Sequence, residues 1–286
     1  MSSTHSKPRS IAEWRQHARI ALAVLGDDAT LEADWLISEA LDLSRAQLLT
    51  RGDVVPTDDA QARLDEWLAQ RADNVPLAYL TGSQPFLSLM LEVTRDTLVP
   101  RADTEILVER ALARIPPAQT CRIADLGTGS GAIALAIARA RPLAQIVASD
   151  LSRRALAVAQ RNAQRLGLGN VTFHCGNWFE ALPTRSRFDL IVSNPPYVEQ
   201  DFDGLQTHLK HEPRQALAAG TDGLDALRAI ITGASKWLTP GGWLLLEHGY
   251  QQADAVSGIL RTCSFTDIQC FDDRGARPRV SEARTL

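Results

Sequence analysis

What the 286-residue chain lacks narrows its function first. No uninterrupted apolar run approaches the ~18–20 residues needed to span a bilayer. The first ten residues, Met1 to Ser10, hold no apolar stretch of the kind a secretory signal needs. A cytoplasmic protein with no membrane attachment is expected, with a short disordered lead-in. There are four cysteines, Cys121, Cys175, Cys263 and Cys270, and no C-x-x-C pair among them. Two fall in apparent core strands, so buried free thiols in a reducing compartment are expected, not a disulfide frame or a zinc site. The six histidines lack metal spacing as well; His208 and His211 stand three apart with no second ligand pair, and no metal is expected. Internal repeats and low-complexity tracts are absent. So is any basic excess: net charge is −4, and residues 1–75 hold 8 Lys+Arg against 13 Asp+Glu (−5), the remainder 22 against 21 (+1). Proteins that grip nucleic acid through its phosphates usually carry a basic patch or excess. An acidic N-terminal region suits a basic protein partner better, although a solvated acidic surface is the simpler explanation.

What is present divides into three stretches. Over 1–75 the pattern is helical: Ile11, Trp14, Ala18, Leu22 and Leu25 share one face after a Ser10 cap, with Gly26 as a stop. Thr30 is read as the cap of a second helix to about Leu43. Thr57 is read as the cap of a third, with Ala60, Leu64, Trp67 and Leu68 on its apolar face. The tryptophans are ordinary core residues of a small bundle. Residues 76–100 are read as a β-hairpin linker on the imperfect alternation from Phe86 to Val93. From Cys121 onward strands and helices alternate. Strands are expected at Cys121–Asp125, Gln145–Asp150, Val171–Cys175, Phe188–Ser193 and Trp243–Glu247. Helices are expected at Ala132–Ala140, from Ser152 to about Leu166, and near Leu224–Trp237. Two closing strands are placed near Phe265–Phe271 and Arg279–Arg284. Such alternation implies an α/β, doubly wound, mostly parallel sheet.

The chemistry sits at the ends of these strands. Gly127, Thr128, Gly129 and Gly131 form the first strand-to-helix turn, where glycines permit positive φ and let a ligand approach the backbone. A glycine-rich turn alone is weak evidence, but here Asp125 precedes it and the spacing is G-x-G-x-G. An acidic residue beside the turn suits a cationic, phosphate-free ligand better than a pyrophosphate. Asp150, followed by Leu151, ends the second strand 25 residues later and can accept both hydroxyls of a ribose. Asn177 and Trp178 end the third, where they can meet an adenine edge and wall its ring. Singly, the aspartates could be helix caps and Asn177 a turn residue. As an ordered series they form a candidate site for S-adenosylmethionine. After the fourth strand come Asn194, Pro195, Pro196 and Tyr197. Neither proline offers an N–H, and each pushes its predecessor into an extended conformation, so the strand stops in a stiff corner. By itself that corner could be a mere strand terminator. With an amide side chain, a free carbonyl and an aromatic face, it can also grip a planar –NH2 group.

The order DLGTGSG, SD, GNW, SNPPY resembles that of class I methyltransferases acting on planar amide or amino nitrogens, and more narrowly the PrmC/HemK family of release factor glutamine N5-methyltransferases. The likeness covers nearly the whole chain. Leu98 to Glu105 resembles the family's lead into its catalytic domain, Glu212–Leu217 and Gly220–Leu224 its segment after NPPY, and Tyr79–Gly82 its linker. Ala102 departs from the pattern, since many members carry proline there; this loosens the turn.

The resemblance implies a Rossmann-like catalytic domain with a seven-stranded sheet over 101–286 and a helical substrate-recognition domain over 1–75. It implies transfer of a methyl group from S-adenosylmethionine, leaving S-adenosylhomocysteine, to the glutamine amide of the GGQ motif in class-I peptide chain release factors. The cofactor residues would be Asp125, Gly127, Thr128, Gly129, Gly131, Asp150, Leu151, Asn177, Trp178 and Asn194. The catalytic residues would be Asn194, Pro195, Pro196 and Tyr197, with the Asn194 oxygen and Pro195 carbonyl accepting the two amide N–H bonds and Tyr197 packing on the flat amide. A monomer without stable nucleic-acid binding is expected. The rival substrates are a ribosomal-protein glutamine and an adenine or guanine amino group, which would require base extraction; a non-catalytic binding module is the rival from another class.

Overall fold

A computed structural model describes residues 8–23, 26 and 29–286. The chain forms two compact units, Met1–Gly82 and Ser83–Leu286.

The first unit is helical. Helix α1 (Ile11–Ala21) starts at a capping box in which Ser10 and Glu13 satisfy each other's backbone N–H groups. The expected apolar position at Leu25 lies outside the described residues. Helix α2 (Ala29–Leu41) begins before Thr30, so Thr30 is inside its first turn and is not its cap. Helix α3 (Arg45–Thr50) was not expected, although Ser44 and Gln47 form a second capping box that the sequence displays. Thr57 caps α4 (Asp58–Ala72), and α5 (Leu77–Thr81) closes the unit inside the stretch expected to begin the β-hairpin linker. Trp14, Leu22, Leu36, Ile37, Leu48 and Leu64 make a dry core, and a bidentate Arg15–Asp34 pair at 2.7 and 2.9 Å ties α1 to α2.

The second unit opens with the hairpin β1 (Ser83–Phe86) and β2 (Leu89–Glu92), then α6 (Thr104–Arg114), a helix beyond those expected from the sequence. Strand β3 (Arg122–Leu126) is followed by α7 (Ala132–Ala140), β4 (Gln145–Asp150), α8 (Arg153–Leu166), β5 (Val171–Cys175) and β6 (Phe188–Ser193). Helix α9 (Asp225–Ala234), β7 (Leu238–Glu247), α10 (Ala253–Thr262), β8 (Thr266–Asp272) and β9 (Pro278–Arg284) complete it. The seven strands run in the order β5-β4-β3-β6-β7-β9-β8, parallel except where β9 pairs antiparallel with β7 and β8. Side chains alternate between faces with a period of two. Ile123, Ile146, Leu190 and Leu245 pack under α6 and α7; Ala124, Leu126, Ile191 and Leu244 pack under α9 and α10. Both faces are therefore covered, as a parallel sheet requires. The sheet winds outward in two directions from β3, whose neighbours are β4 and β6. Ligands bind α/β sheets outside the strand C-termini at such a switch point.

The four thiols are free but none is buried. Cys175 and Cys270 are exposed on the outermost strands β5 and β8. Among the described residues no His/Cys/Asp/Glu cluster could hold a metal, and no helix is long and apolar enough to cross a membrane.

Candidate active site

The turn after β3 carries three glycines in the left-handed region, Gly127 (φ 75°), Gly129 (58°) and Gly131 (87°). It is bound to the end of β4 by the Gly127 and Thr128 amides, which donate to the Ser149 carbonyl at 2.8 and 2.9 Å. A Cβ at Gly127 would stand 3.3 Å from the Trp178 ring. Asp125 braces the turn from beneath: its carboxylate accepts from the Thr128 hydroxyl at 2.6 Å and the Ala134 amide at 3.2 Å. It is 0% exposed, and burial pushes its pKa to about 7 against the pull of those two donors.

Asp150 is fixed differently. One carboxylate oxygen accepts from the Gly129 amide at 2.9 Å and the other from the Ser152 amide at 2.8 Å. Each oxygen keeps a second lone pair for a ligand hydroxyl. Burial raises the Asp150 pKa, and the neighbouring backbone amides oppose the rise.

A cleft runs over these strand ends. Gly127, Gly129, Asp150, Leu151, Asn177, Trp178, Asn194 and Pro196 line it together. The space enclosed between these walls and the open mouth is about 740 Å³. Asp125, Thr128, Gly131, Pro195 and Tyr197 are not among its lining residues. Gly131 caps α7, where a side chain would meet Leu135 and Ala159 at 2.9 and 3.2 Å. Pro195 is buried, and the Tyr197 hydroxyl donates to Glu247 at 3.2 Å, turned toward the core.

The far wall of the cleft was not anticipated. It is made by Asp96, Thr97 and Leu98 before α6 and by Pro213, Gln215 and Ala216 after the NPPY corner. Glu212, 6% exposed, clasps the two segments: it accepts from the Val99 amide at 3.1 Å and pairs with Arg101. Also unforeseen are Thr104, whose hydroxyl accepts from Asn194 Nδ2 at 3.0 Å, and the buried Glu247. The signal for Glu247 was its place: a carboxylate directly after the apolar run Trp243–Leu246, at the ligand-binding end of a parallel strand.

The glycine cradle and the held carboxylate fit an adenosyl cofactor. Gly129 has open space where a Cβ would stand, Asp150 retains acceptors, and Trp178 supplies an aromatic wall. Comparison with known proteins agrees over most of the chain. A methyltransferase domain model matches residues 118–273, and the PrmC N-terminal domain model matches residues 13–82. A release factor glutamine methyltransferase from Xylella fastidiosa is 49% identical over 255 residues, covering 89% of this chain and 92% of that one. This chain belongs to the release factor glutamine methyltransferase family. A second member of the family, from Escherichia coli, is 42% identical across 95% of this chain and 99% of its own length. Among solved structures, a methyltransferase from Pyrococcus furiosus superposes with a TM-score of 0.54 at 16% identity, covering 80% of this chain and all of that one, a likeness of fold.

Proposed function

We propose that this chain methylates the side-chain amide nitrogen of the glutamine in the GGQ motif of class-I peptide chain release factors, using S-adenosylmethionine. The observation that carries the reading is that one cleft joins Asp150 and the glycine turn to Asn194 and Pro196. Donor-holding and acceptor-holding groups thus share a single cavity, in a chain matching release factor glutamine methyltransferases nearly end to end.

Asp150, Gly127, Gly129, Asn177 and Trp178 would hold the adenosyl portion of the cofactor, which supplies a methyl group on a sulfonium. The Gly129 and Ser152 amides keep Asp150 aimed, and Asp125 with Thr128 keeps the turn in shape. An amide nitrogen is a poor nucleophile because its lone pair is delocalised into the carbonyl. Asn194 Oδ1 and the Pro195 carbonyl, as acceptors for its two N–H bonds, would favour charge build-up on that nitrogen and fix its direction. Orientation and dipole placement do this work without a strong base. The proton departs after transfer, when the nitrogen is acidic. Tyr197 is anchored through its hydroxyl to Glu247 and stiffens the corner.

The helical N-terminal unit would dock the release factor, supported by its acidic balance of −5 over residues 1–75. Action as a cytoplasmic monomer, without stable nucleic-acid binding, completes the proposal. The deciding experiment incubates the protein with S-adenosylmethionine and a class-I release factor, then maps the modification by mass spectrometry. One added methyl group on the GGQ glutamine is expected. Methyl incorporation only into a ribosomal protein or a nucleic acid would overturn the reading.

A further inference from the structure

Asn194 can orient a substrate amide only if its own amide is held the right way round. Thr104, the first residue of α6, is 4% exposed, and its hydroxyl oxygen accepts a hydrogen bond from Asn194 Nδ2 at 3.0 Å. Ser193 and Leu246 are register partners on β6 and β7; Asn194 is the first residue past the end of β6, and Glu247 is the last residue of β7. Glu247 is 0% exposed; one of its oxygens accepts from the Tyr197 hydroxyl at 3.2 Å, and the other has no donor assigned among the described residues. The Thr104 hydroxyl is close enough to this carboxylate to pull its pKa down, and the oxygen without a donor is open to its proton.

A hydroxyl has one proton and two acceptor lone pairs. With that proton turned to the Glu247 carboxylate, Thr104 can offer Asn194 only a lone pair. Asn194 must then face Thr104 with its NH2, which leaves Oδ1 for the other side. The reversed amide would set Asn194 Oδ1 against the Thr104 lone pairs and present an NH2 to the NH2 of the incoming glutamine, donor against donor. We propose that Thr104 and Glu247 are positioning residues that lock the polarity of the Asn194 amide, so that the corner accepts N–H groups and rejects acceptor-bearing ones. This rests on the reading of Asn194 as the substrate-amide acceptor.

Threonine also packs, and two substitutions separate packing from polarity. Thr104→Val keeps the shape and loses the hydroxyl; Thr104→Ser keeps the hydroxyl and loses the methyl. The lock predicts that T104V lowers kcat for release factor methylation roughly tenfold to a hundredfold, while T104S stays within about threefold of the wild type. S-adenosylhomocysteine affinity, read by calorimetry, should hold in both. On an Asn194→Ala background, T104V should change kcat less than about twofold, because the group it orients is gone. Glu247→Gln, whose amide can donate to Thr104 and release the constraint, should also lose turnover with cofactor affinity retained. A wild-type rate in T104V, a larger loss in T104S than in T104V, or an undiminished T104V loss on the Asn194→Ala background would each overturn the lock.

A substrate-independent readout keeps the test open if the release factor is left unmethylated, an outcome that counts against the functional reading alone. In 15N-labelled protein the Asn194 side-chain NH2 should exchange slowly in the wild type and T104S and quickly in T104V. Equal exchange in all three would refute the lock whatever the substrate.

Discussion

In the proposed mechanism Asn194 and Asp150 divide the labour at the level of single residues, and substitutions should separate them. Asn194→Ala should lower kcat by about two orders of magnitude, the scale of losing one preorganised polar group, with S-adenosylhomocysteine affinity little changed. Equal turnover in the variant would remove Asn194 from the chemistry. Asp150→Ala should do the reverse. A hydrogen bond to a charged group contributes ~1.5–3 kcal/mol, so cofactor binding should weaken about tenfold to a hundredfold, measured by calorimetry. Asp125 braces the glycine turn and lines none of the cleft, so in this mechanism its effect on the cofactor would pass through the turn it supports.

Among elements, the decisive contacts join segments far apart in the chain. Glu212 holds the strip before α6 against the strip after NPPY, and both strips wall the cleft. Glu212→Ala leaves the Val99 amide without its acceptor and Arg101 without its partner. Stability should fall by ~1–3 kcal/mol in urea unfolding, and cofactor affinity should fall with it. The loop before α9 depends on Gly223 in the same way: φ is 70°, and a Cβ there would lie 2.3 Å from the Tyr197 carbonyl oxygen. Gly223→Ala should cost more than ~1 kcal/mol, since alanine at positive φ is strained even without a clash. Displacement of Tyr197 should reduce turnover in parallel. A Gly223→Ala protein with wild-type stability would show that the loop has freedom to move away.

At the scale of the whole molecule, buried ionisable groups couple the site to stability. Burial lifts the Glu247 pKa from 4.5 to about 7, against the opposing influence of Thr104, Arg279 and Tyr197 and with reinforcement from Asp103. Between those values the folded chain holds a proton that the unfolded chain has released, so this group's contribution to stability falls as pH rises through the window. His248, next in sequence and buried, has a lowered pKa, and below 6.5 its contribution has the opposite slope. Comparing variants isolates the carboxylate. The stability gained by Glu247→Gln over the wild type should be larger at pH 7.5 than at pH 5, measured by urea unfolding at each pH. A gain independent of pH would mean that Glu247 ionises as an exposed carboxylate does.

The sequence by itself determined the parallel sheet, the glycine turn, Asp150 at the end of β4 and the stiff NPPY corner at the end of β6. Each is a local pattern: a strand's period of two, glycine's access to positive φ, proline's missing donor. The capping box at Ser44 is equally local and legible, and so is the helical spacing of Leu107, Val108 and Ala111 in α6. Tertiary structure alone decided which of these residues share a cleft. It turned Asp125 beneath the turn and Tyr197 toward Glu247, and it brought Thr104 to Asn194 across 90 positions and Glu212 to Val99 across 113. Those pairings arise from how strands order themselves in a sheet and how helices cover it. The NPPY stretch therefore announces a corner that can grip an amide, while the direction in which Asn194 grips it is set by side chains brought from α6 and β7.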